Sequence, residues 1–405
     1  MQKSIGVLWL ALGLGCLWAE KPRRYVELGF NLETGFANNY LTYTDFFNDD
    51  RIIHIDLNSM GRYDFNLAGD VSAKTFLTIN GEGFSVGLFT GLAGLFYGSL
   101  SEELFRLLNE GNTSPYSQAD LALGGSLFAE AGIQIQKQIG KLRFMISPAV
   151  FLPLVVIPKP KTMSLIVKTG EETMSVTGDF TVDIYSPVAL GTGETFSVDT
   201  GKLSKALDSG ALGFDVSLGA EYPLFSILDA GLLVRQIPIG LSRLTYRTQI
   251  QAAFGFNTIA SEQSLLDMLK EGRIEDMLML EDPDVSFSRG LIYVVRPLRV
   301  DLYGRIRFLG HFLVLRPYVG LSLFTPYGDV PCFNGGLEGQ INLWRLLSMS
   351  VSSEYTDLLW KHRIGFILNL RVLQLDLGVS TQSQEFTRSF QLSGLGASLG
   401  LHIGF

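Results

Sequence analysis

The chain has 405 residues, of which 47% are hydrophobic and 18% are charged, and its formal net charge is −8. Soluble proteins carry roughly 25% charged residues, so this composition favours a protein whose surface faces lipid. The acidic balance argues against a nucleic-acid partner, because phosphate binding needs basic patches. Four scattered histidines and two cysteines predict neither a metal site nor a cofactor.

The first 19 residues are typical of an export signal. Lys3 supplies the positive start, residues 5–18 are apolar, and we expect cleavage after Ala19. Residues 20–405 are then predicted to form a single barrel domain. A second interpretation also stands, because Leu14-Gly15-Cys16 is similar to a lipoprotein box and would place a lipid on Cys16. The ordinary signal peptide is the preferred interpretation.

Residues 26–32 introduce the alternation on which the fold prediction depends. Val26, Leu28 and Phe30 would face one side of a strand, and Glu27 and Asn31 the other. A membrane barrel needs strands of roughly 9–11 residues whose side chains alternate between lipid and lumen. The same alternation recurs in segments 127–136, 214–222, 244–254 and 298–308. A soluble β-sandwich would also alternate, so the number of strands and the export signal favour the barrel.

Two apolar stretches offer membrane helices as the alternative. Residues 83–101 are uncharged and long enough to cross a bilayer, but their repeated glycines weaken a helix. Residues 144–157 are interrupted by Pro148 and Pro153. We therefore predict an all-β fold, a transmembrane antiparallel β-barrel.

Two other segments are predicted to be short helices in loops or in the lumen. Residues 99–110 begin with Ser99 and Glu102 at the spacing of a capping box. Residues 261–280 carry apolar side chains at helical spacing, broken by Gly272. Such helices would either cap the barrel rim or form an entry site for an apolar ligand.

The segment 298–308 indicates what lines the lumen, because its basic and acidic residues all fall on one face. Arginine presents a planar fork that binds a carboxylate. Arginines on the inferred inner faces are therefore candidate ligand-binding residues: Arg243, Arg247, Arg299, Arg305 and Arg307. The alternative, which we favour, is that these charges neutralise acidic residues on the same faces. Those acidic residues are Glu27, Glu130, Asp215, Glu221, Asp301 and Asp376.

The last strand carries the strongest signal for location. Its uncharged face consists of Leu395, Ala397, Leu399, Leu401, Ile403 and Phe405. Hydrocarbon requires such a face, since a central Arg or Lys costs about 2–4 kcal/mol. The segment resembles the C-terminal assembly signal of bacterial outer-membrane barrels, which ends in an aromatic residue. This resemblance implies outer-membrane lipid and the barrel-assembly machinery as partners.

The chain as a whole resembles the FadL-like long-chain fatty acid transporters of the outer membrane, in their divergent spirochaete-type form. The resemblance covers most of the mature chain and rests on the terminal strand, the length, the helical inserts and segment 140–158. It implies about 14 strands and an N-terminal plug in the lumen. The Asn-Pro-Ala element of that plug is missing here, so no plug residue is assigned.

Three functions remain open from the sequence. The resemblance implies a channel for passive uptake of long-chain fatty acids or other hydrophobic small molecules, which leave sideways through the wall. The charged lumen favours a general porin for small polar solutes, and the long loops favour a surface-exposed structural or adhesive barrel. The chain has no nucleophile elbow, phosphate loop or kinase motif, so we predict no enzyme.

Overall fold

The structure, a computed structural model, describes residues 24–39, 64–103, 116–158, 163–169, 173–192, 195–196, 210–259, 279–280, 284–308, 312–325, 331–343, 346–370 and 372–405. Within them, fourteen antiparallel strands form a closed barrel, which confirms the predicted all-β transmembrane fold. With all strands numbered along the chain, the barrel strands are β1 (Val26–Asn38), β2 (Phe65–Gly81), β3 (Phe84–Leu100), β4 (Tyr116–Ile139), β5 (Leu142–Ile157), β10 (Gly213–Pro223), β11 (Leu228–Gly240), β15 (Leu298–Phe308), β16 (Leu313–Leu323), β17 (Cys332–Leu343), β18 (Leu347–Thr356), β19 (Leu359–Asn369), β20 (Leu373–Ser383) and β21 (Gly394–Gly404).

The first and last strands close the ring. β21 pairs with β1 from Gly404 opposite Glu27 to Gly394 opposite Ala37. Beyond the last pair, the Tyr25 N–H donates to the Phe405 carbonyl at 2.7 Å. Neighbours around the ring follow chain order, with β5 paired to β10 and β11 paired to β15. Closure leaves no open strand edge in the wall, which lipid could not hydrogen-bond.

Side chains of the barrel are arranged with apolar groups outside and polar groups inside. On β21, Leu395 and Ile403 are exposed, while Ser398 and His402 are buried. On β15, Leu302 is 56% exposed whereas Arg299 and Asp301 are buried. The buried side chains of the described residues are mostly polar or charged. A soluble protein shows the opposite arrangement, so the outer surface is built for hydrocarbon.

The two ends of the barrel differ in the length of their connections. At the end that holds Tyr25 and Phe405, β2 joins β3 and β4 joins β5 through two-residue turns. Gly83 and Gly140 take positive φ angles of 75° and 61° in these turns, which glycine adopts without strain. We call this the turn end. The opposite end, from which the long connections 158–212 and 241–297 leave, we call the loop end.

Aromatic side chains stand exposed at both ends of the outer surface. At the turn end these are Tyr25, Phe84, Tyr222, Phe225, Phe312 and Phe405. At the loop end they are Phe36, Phe96, Phe324, Phe386 and Phe390. Two aromatic girdles around an apolar band are typical of membrane barrels, because these rings favour the lipid–water interface.

Four further strands extend the wall past the loop end. They are β6 (Met163–Thr169), β7 (Thr173–Ser186), β12 (Ser242–Ile259) and β14 (Asp284–Val294). The first of them, β6, pairs with the start of β4. The other pairings join β6 to β7, β7 to β12 and β12 to β14. We call these strands the extension. Three two-residue strands complete the set: β8 (Gly191–Thr192), β9 (Thr195–Phe196) and β13 (Met279–Leu280).

The ladder between β4 and β5 is irregular at two places. Residues pair as far as Gly132 opposite Ala149 and resume at Ile135 opposite Ile146, so the ladder is interrupted beside Pro148. A register shift lies between Leu127 and Phe128, near Pro153. Proline cannot donate a ladder hydrogen bond. The two prolines that argue against a helix in the sequence therefore mark weak points of the wall.

The predicted helical inserts fall largely outside the described residues. Ser99 belongs to β3, residues 104–115 and 260–278 are outside the described ranges, and Met279–Leu280 is the short strand β13. A four-residue helix that the sequence patterns do not indicate, α1 (Phe386–Ser389), lies before β21. No helix in the described ranges has the length and apolarity needed to cross a membrane.

Charged substitutions on the outer face of β21 test the orientation of the wall. Leu399 lies in the middle of this strand and Ile403 lies beside the turn end. We expect Leu399→Arg to lower the free energy of unfolding by about 2–4 kcal/mol and Ile403→Arg by about 0–1 kcal/mol. Urea unfolding of the barrel in lipid vesicles measures both. Equal losses at the two positions would contradict the placement of the bilayer.

Candidate functional site

A cluster of buried apolar side chains lies on the inner face of the barrel wall, near the loop end. β4 and β5 supply its aromatic pair, Phe128 and Phe151, whose rings meet edge to face at 5.9 Å. Gly213 gives the Phe151 ring its space, because a Cβ at this position would overlap the ring. The start of the extension covers the cluster with Leu244 and Val294. Its full membership is Phe128, Phe151, Leu152, Val156, Ala211, Leu244 and Val294.

Arg296 forms the floor of the apolar cluster. It comes from the short link between β14 and β15, and its guanidinium carbon lies 5.1 Å from the centre of the Phe151 ring. Its Nε and Nη2 donate to the two carboxylate oxygens of Asp215 at 2.7 and 2.8 Å. Its Nη1 donates to Glu130. Arg296 and Asp215 are 4% and 2% exposed, so this bidentate pair is buried.

Lys74 continues this line of charges along the inner wall to β2, because Gly91 of β3 lies between Lys74 and Glu130. Its Nζ lies 3.9 Å from Glu130 Oε1 on β4 and 3.9 Å from the centre of the Phe89 ring on β3. Glu130 therefore lies between two cations, Arg296 and Lys74. The floor thus contains two cations, Arg296 and Lys74, and two carboxylates, Glu130 and Asp215, so its net charge is zero.

A second set of ion pairs connects β19 with the first two strands on the inner side of the barrel. Lys361 Nζ donates to Asp70 on β2 at 2.8 Å, and Arg363 donates to Glu33 on β1. Strands β20 and β21 lie between Arg363 and Glu33, and β1 also lies between Lys361 and Asp70, so the side chains reach over intervening strands instead of along one ladder. All four groups are well shielded from solvent.

Three of the five candidate arginines lie in the lumen in ion pairs. Arg305 reaches Glu221 at 3.4 Å, Arg307 reaches Asp229 at 2.5 Å and Arg299 donates to Asp357 at 2.7 Å. These partners hold the guanidinium groups to the wall. The contacts support the interpretation that the inner charges neutralise one another.

The structure places the other two candidate arginines, Arg243 and Arg247, in the extension. Arg243 is exposed. Arg247 pairs with Asp183 on β7, with Nη2 at 2.7 Å from Oδ1. These hydrogen bonds raise the pKa of Arg247 above its ordinary value. Neither residue joins the ion pairs inside the barrel, because β12 leaves the ring where β11 ends.

His402 joins the closing strands on their inner side. Its Nδ1 lies 3.0 Å from Glu27 Oε1, and its Nε2 lies 3.0 Å from Asn31 Oδ1 and 3.7 Å from Asp376 Oδ2. Phe76 packs against the imidazole edge to face at 5.4 Å. Two of the predicted lumen carboxylates, Glu27 and Asp376, are thus brought together at the β1–β21 seam.

The patterns in the sequence miss several residues that matter most in this interior. Lys361 and Arg363 alternate with Trp360, His362 and Ile364, so period-2 counting could have found them. Arg296 lies outside any alternating segment and gives no such signal. Its role follows from contacts with residues more than 80 positions away.

Other predicted site residues have simpler placements. Leu395, Leu399, Leu401 and Ile403 face outward, and Phe405 is 77% exposed at the turn end; Ala397 lies outward between them. Cys16 lies outside the described residues. Within those residues, no group of His, Cys, Asp and Glu could hold a metal ion.

No protein-family model and no curated protein matches the chain. Among solved structures it is similar to TodX with a deltaS2S3 mutation, a monoaromatic hydrocarbon channel, with a TM-score of 0.48 and 11% identity over 94% of this chain and 90% of that one. It is also similar to the toluene transporter TbuX of Ralstonia pickettii, with a TM-score of 0.46 and 7% identity over 95% of this chain and 92% of that one. A third similar structure is a FadL homologue of Pseudomonas aeruginosa, with a TM-score of 0.39 and 10% identity over 94% of this chain and 90% of that one. These are likenesses of fold, and they assign no cargo to this chain.

The Arg363–Glu33 pair predicts a coupled loss of stability. Arg363→Met removes the guanidinium that donates to the buried Glu33, so we expect the free energy of unfolding to fall by about 3–5 kcal/mol. Glu33→Gln combined with Arg363→Met should recover much of that loss, because the buried charge is gone. Urea unfolding of both single variants and the double variant gives the coupling energy. Losses that simply add would show that the two side chains do not interact.

Proposed function

We propose that this chain is an outer-membrane channel for passive uptake of hydrophobic small molecules. The observation that carries this proposal is the apolar cluster, which lines part of an otherwise charged interior and lies near the loop end. Ligand sites are commonly apolar hollows with a few placed polar groups. Short turns face the periplasm in outer-membrane barrels and longer loops face outward, so the cluster would lie near the outer surface.

The interior ion pairs favour this proposal over a general porin. A porin keeps a water-filled lumen with a polar wall. Here Lys361 and Arg363 reach across to Asp70 and Glu33, while Arg296 reaches Glu130. Side chains that project from the wall into the interior leave less room for a hydrated solute.

The wall beside the apolar cluster offers a way out. Phe128 and Phe151 lie on β4 and β5, the two strands whose ladder is interrupted beside Pro148 and shifted at Leu127. Missing ladder hydrogen bonds lower the free energy needed to separate the strands. We propose that cargo leaves sideways between β4 and β5, without passing the charged floor.

The balanced charges of the floor bear on the choice of cargo. A fatty acid carries a carboxylate, which needs a cation within reach. Arg296 is engaged by Asp215 and Glu130, and Lys74 lies beside Glu130. An incoming carboxylate would have to displace one of these partners. We therefore propose uncharged apolar molecules as the preferred cargo, with long-chain fatty acids as the second candidate.

A polar substitution in the cluster tests the binding site. Leu244 is fully buried in the cluster, while Leu241, three residues earlier, is 55% exposed. We expect Leu244→Asn to weaken binding of the neutral fluorescent probe N-phenylnaphthylamine, because an unsatisfied amide opposes an apolar ligand. Fluorescence titration of the purified barrel in detergent measures this, and Leu241→Asn is the matched control. Equal effects at both positions, or no binding by the unmodified protein, would refute the cluster as the binding site.

The choice of cargo has its own test at Asp215. Asp215→Asn removes one carboxylate from Arg296, so we expect oleate to compete several-fold better against the neutral probe. Asp183→Asn removes the carboxylate beside Arg247 in the extension and should leave the competition unchanged. If the unmodified protein already binds oleate more tightly than the neutral probe, fatty acids are the preferred cargo. Liposome swelling with arabinose, measured in parallel, would reveal a general porin.

A further inference from the structure

We infer that Arg296 is the residue that keeps this lumen closed to polar solutes. The inference rests on the proposed function, because it explains how a barrel with a charged interior would pass apolar molecules and still exclude small hydrophilic ones. It assigns closure to side chains of the wall itself.

Arg296 joins strands of the wall that are far apart in the ring. It enters the interior beside β15, and its partner Asp215 lies on β10, two strand positions away across β11. Its second partner, Glu130 on β4, lies four positions away across β11, β10 and β5. The guanidinium is planar, and its N–H donors point in different directions within that plane, so one side chain can bind both carboxylates.

The line of charge continues from Glu130 to Lys74 on β2. Passing from β15 through β11, β10, β5, β4 and β3 to β2 counts six positions in a ring of fourteen. The contacts among Arg296, Glu130 and Lys74 therefore span nearly half of the ring along its inner face. Asp70 lies on the same strand as Lys74 and takes Lys361 from β19. Both sets of pairs thus include β2, and together they line the inner wall from β15 through β2 to β19.

The chemistry of Arg296 makes this closure persistent. An arginine stays charged at all accessible pH values, so the two ion pairs do not open through its titration. Arg296 and Asp215 are almost completely buried, and replacing buried ionic contacts with water requires the side chains to separate. Phe151 covers the guanidinium on the side of the apolar cluster. A hydrated solute thus meets a paired charge network, while an apolar molecule meets aromatic rings above it.

Conductance of the purified barrel in planar lipid bilayers tests the role of Arg296. Arg296→Met alone would leave two buried carboxylates unpaired and could prevent folding. The test variant therefore combines Arg296→Met with Glu130→Gln and Asp215→Asn, which removes the charges together and nearly preserves volume. We expect its steady ionic conductance and its arabinose permeability to rise several-fold over the unmodified protein. The matched control, Arg247→Met with Asp183→Asn, removes an ion pair of the extension and should change neither quantity.

Heat-modified migration in detergent gels first confirms that each variant forms a closed barrel. A folded triple variant that conducts no more than the unmodified protein would overturn the inference, as would an equal rise in the control. High conductance of the unmodified protein would overturn it too. Binding of N-phenylnaphthylamine is measured on the same preparations. Failure of the unmodified protein to bind this probe would refute the proposed cargo site, whereas the conductance comparison would still decide the role of Arg296.

Discussion

The backbone pairing between β1 and β21 is the constraint on which the rest of this structure depends. Hydrocarbon offers no hydrogen-bond partner, so each N–H and C=O group of a membrane wall must be satisfied by another strand. The ring meets this requirement when Glu27 to Ala37 pair with Gly404 to Gly394. Once the ring is closed, each strand has one face in lipid and one face in the lumen.

This division of faces reverses the usual arrangement of a folded protein. Along the barrel strands, leucine, isoleucine and phenylalanine cover the outer face, and the buried charges lie on the inner face. A buried charge is costly without a partner, so Arg305 and Arg307 of β15 lie against acidic residues of β10 and β11. The inner charges are in this sense a consequence of the membrane wall, and their pairing offsets the free-energy cost of burying them.

Two departures from regular strands shape the candidate site. At Pro148 the ladder between β4 and β5 loses pairs, beside the aromatic rings of the apolar cluster. At the link between β14 and β15 the chain leaves the sheet, and Arg296 reaches the carboxylates of β10 and β4. In both places the chain departs from regular strand geometry. Such departures are often found at functional sites.

The sequence by itself determines the class of fold and the inward or outward direction of many side chains, because a strand alternates with a period of two and lipid tolerates no charge. Segments 298–308 and 395–405 show this in the order of their residues alone. Tertiary structure alone decides which charges meet, since Arg363 and Glu33 are 330 residues apart, and Arg296 and Glu130 are 166 apart. It also decides that Arg243 and Arg247 belong to the extension, because alternation continues unchanged when a strand leaves the ring. Ring position, which sets these partners, is a property of the closed sheet and not of any one strand.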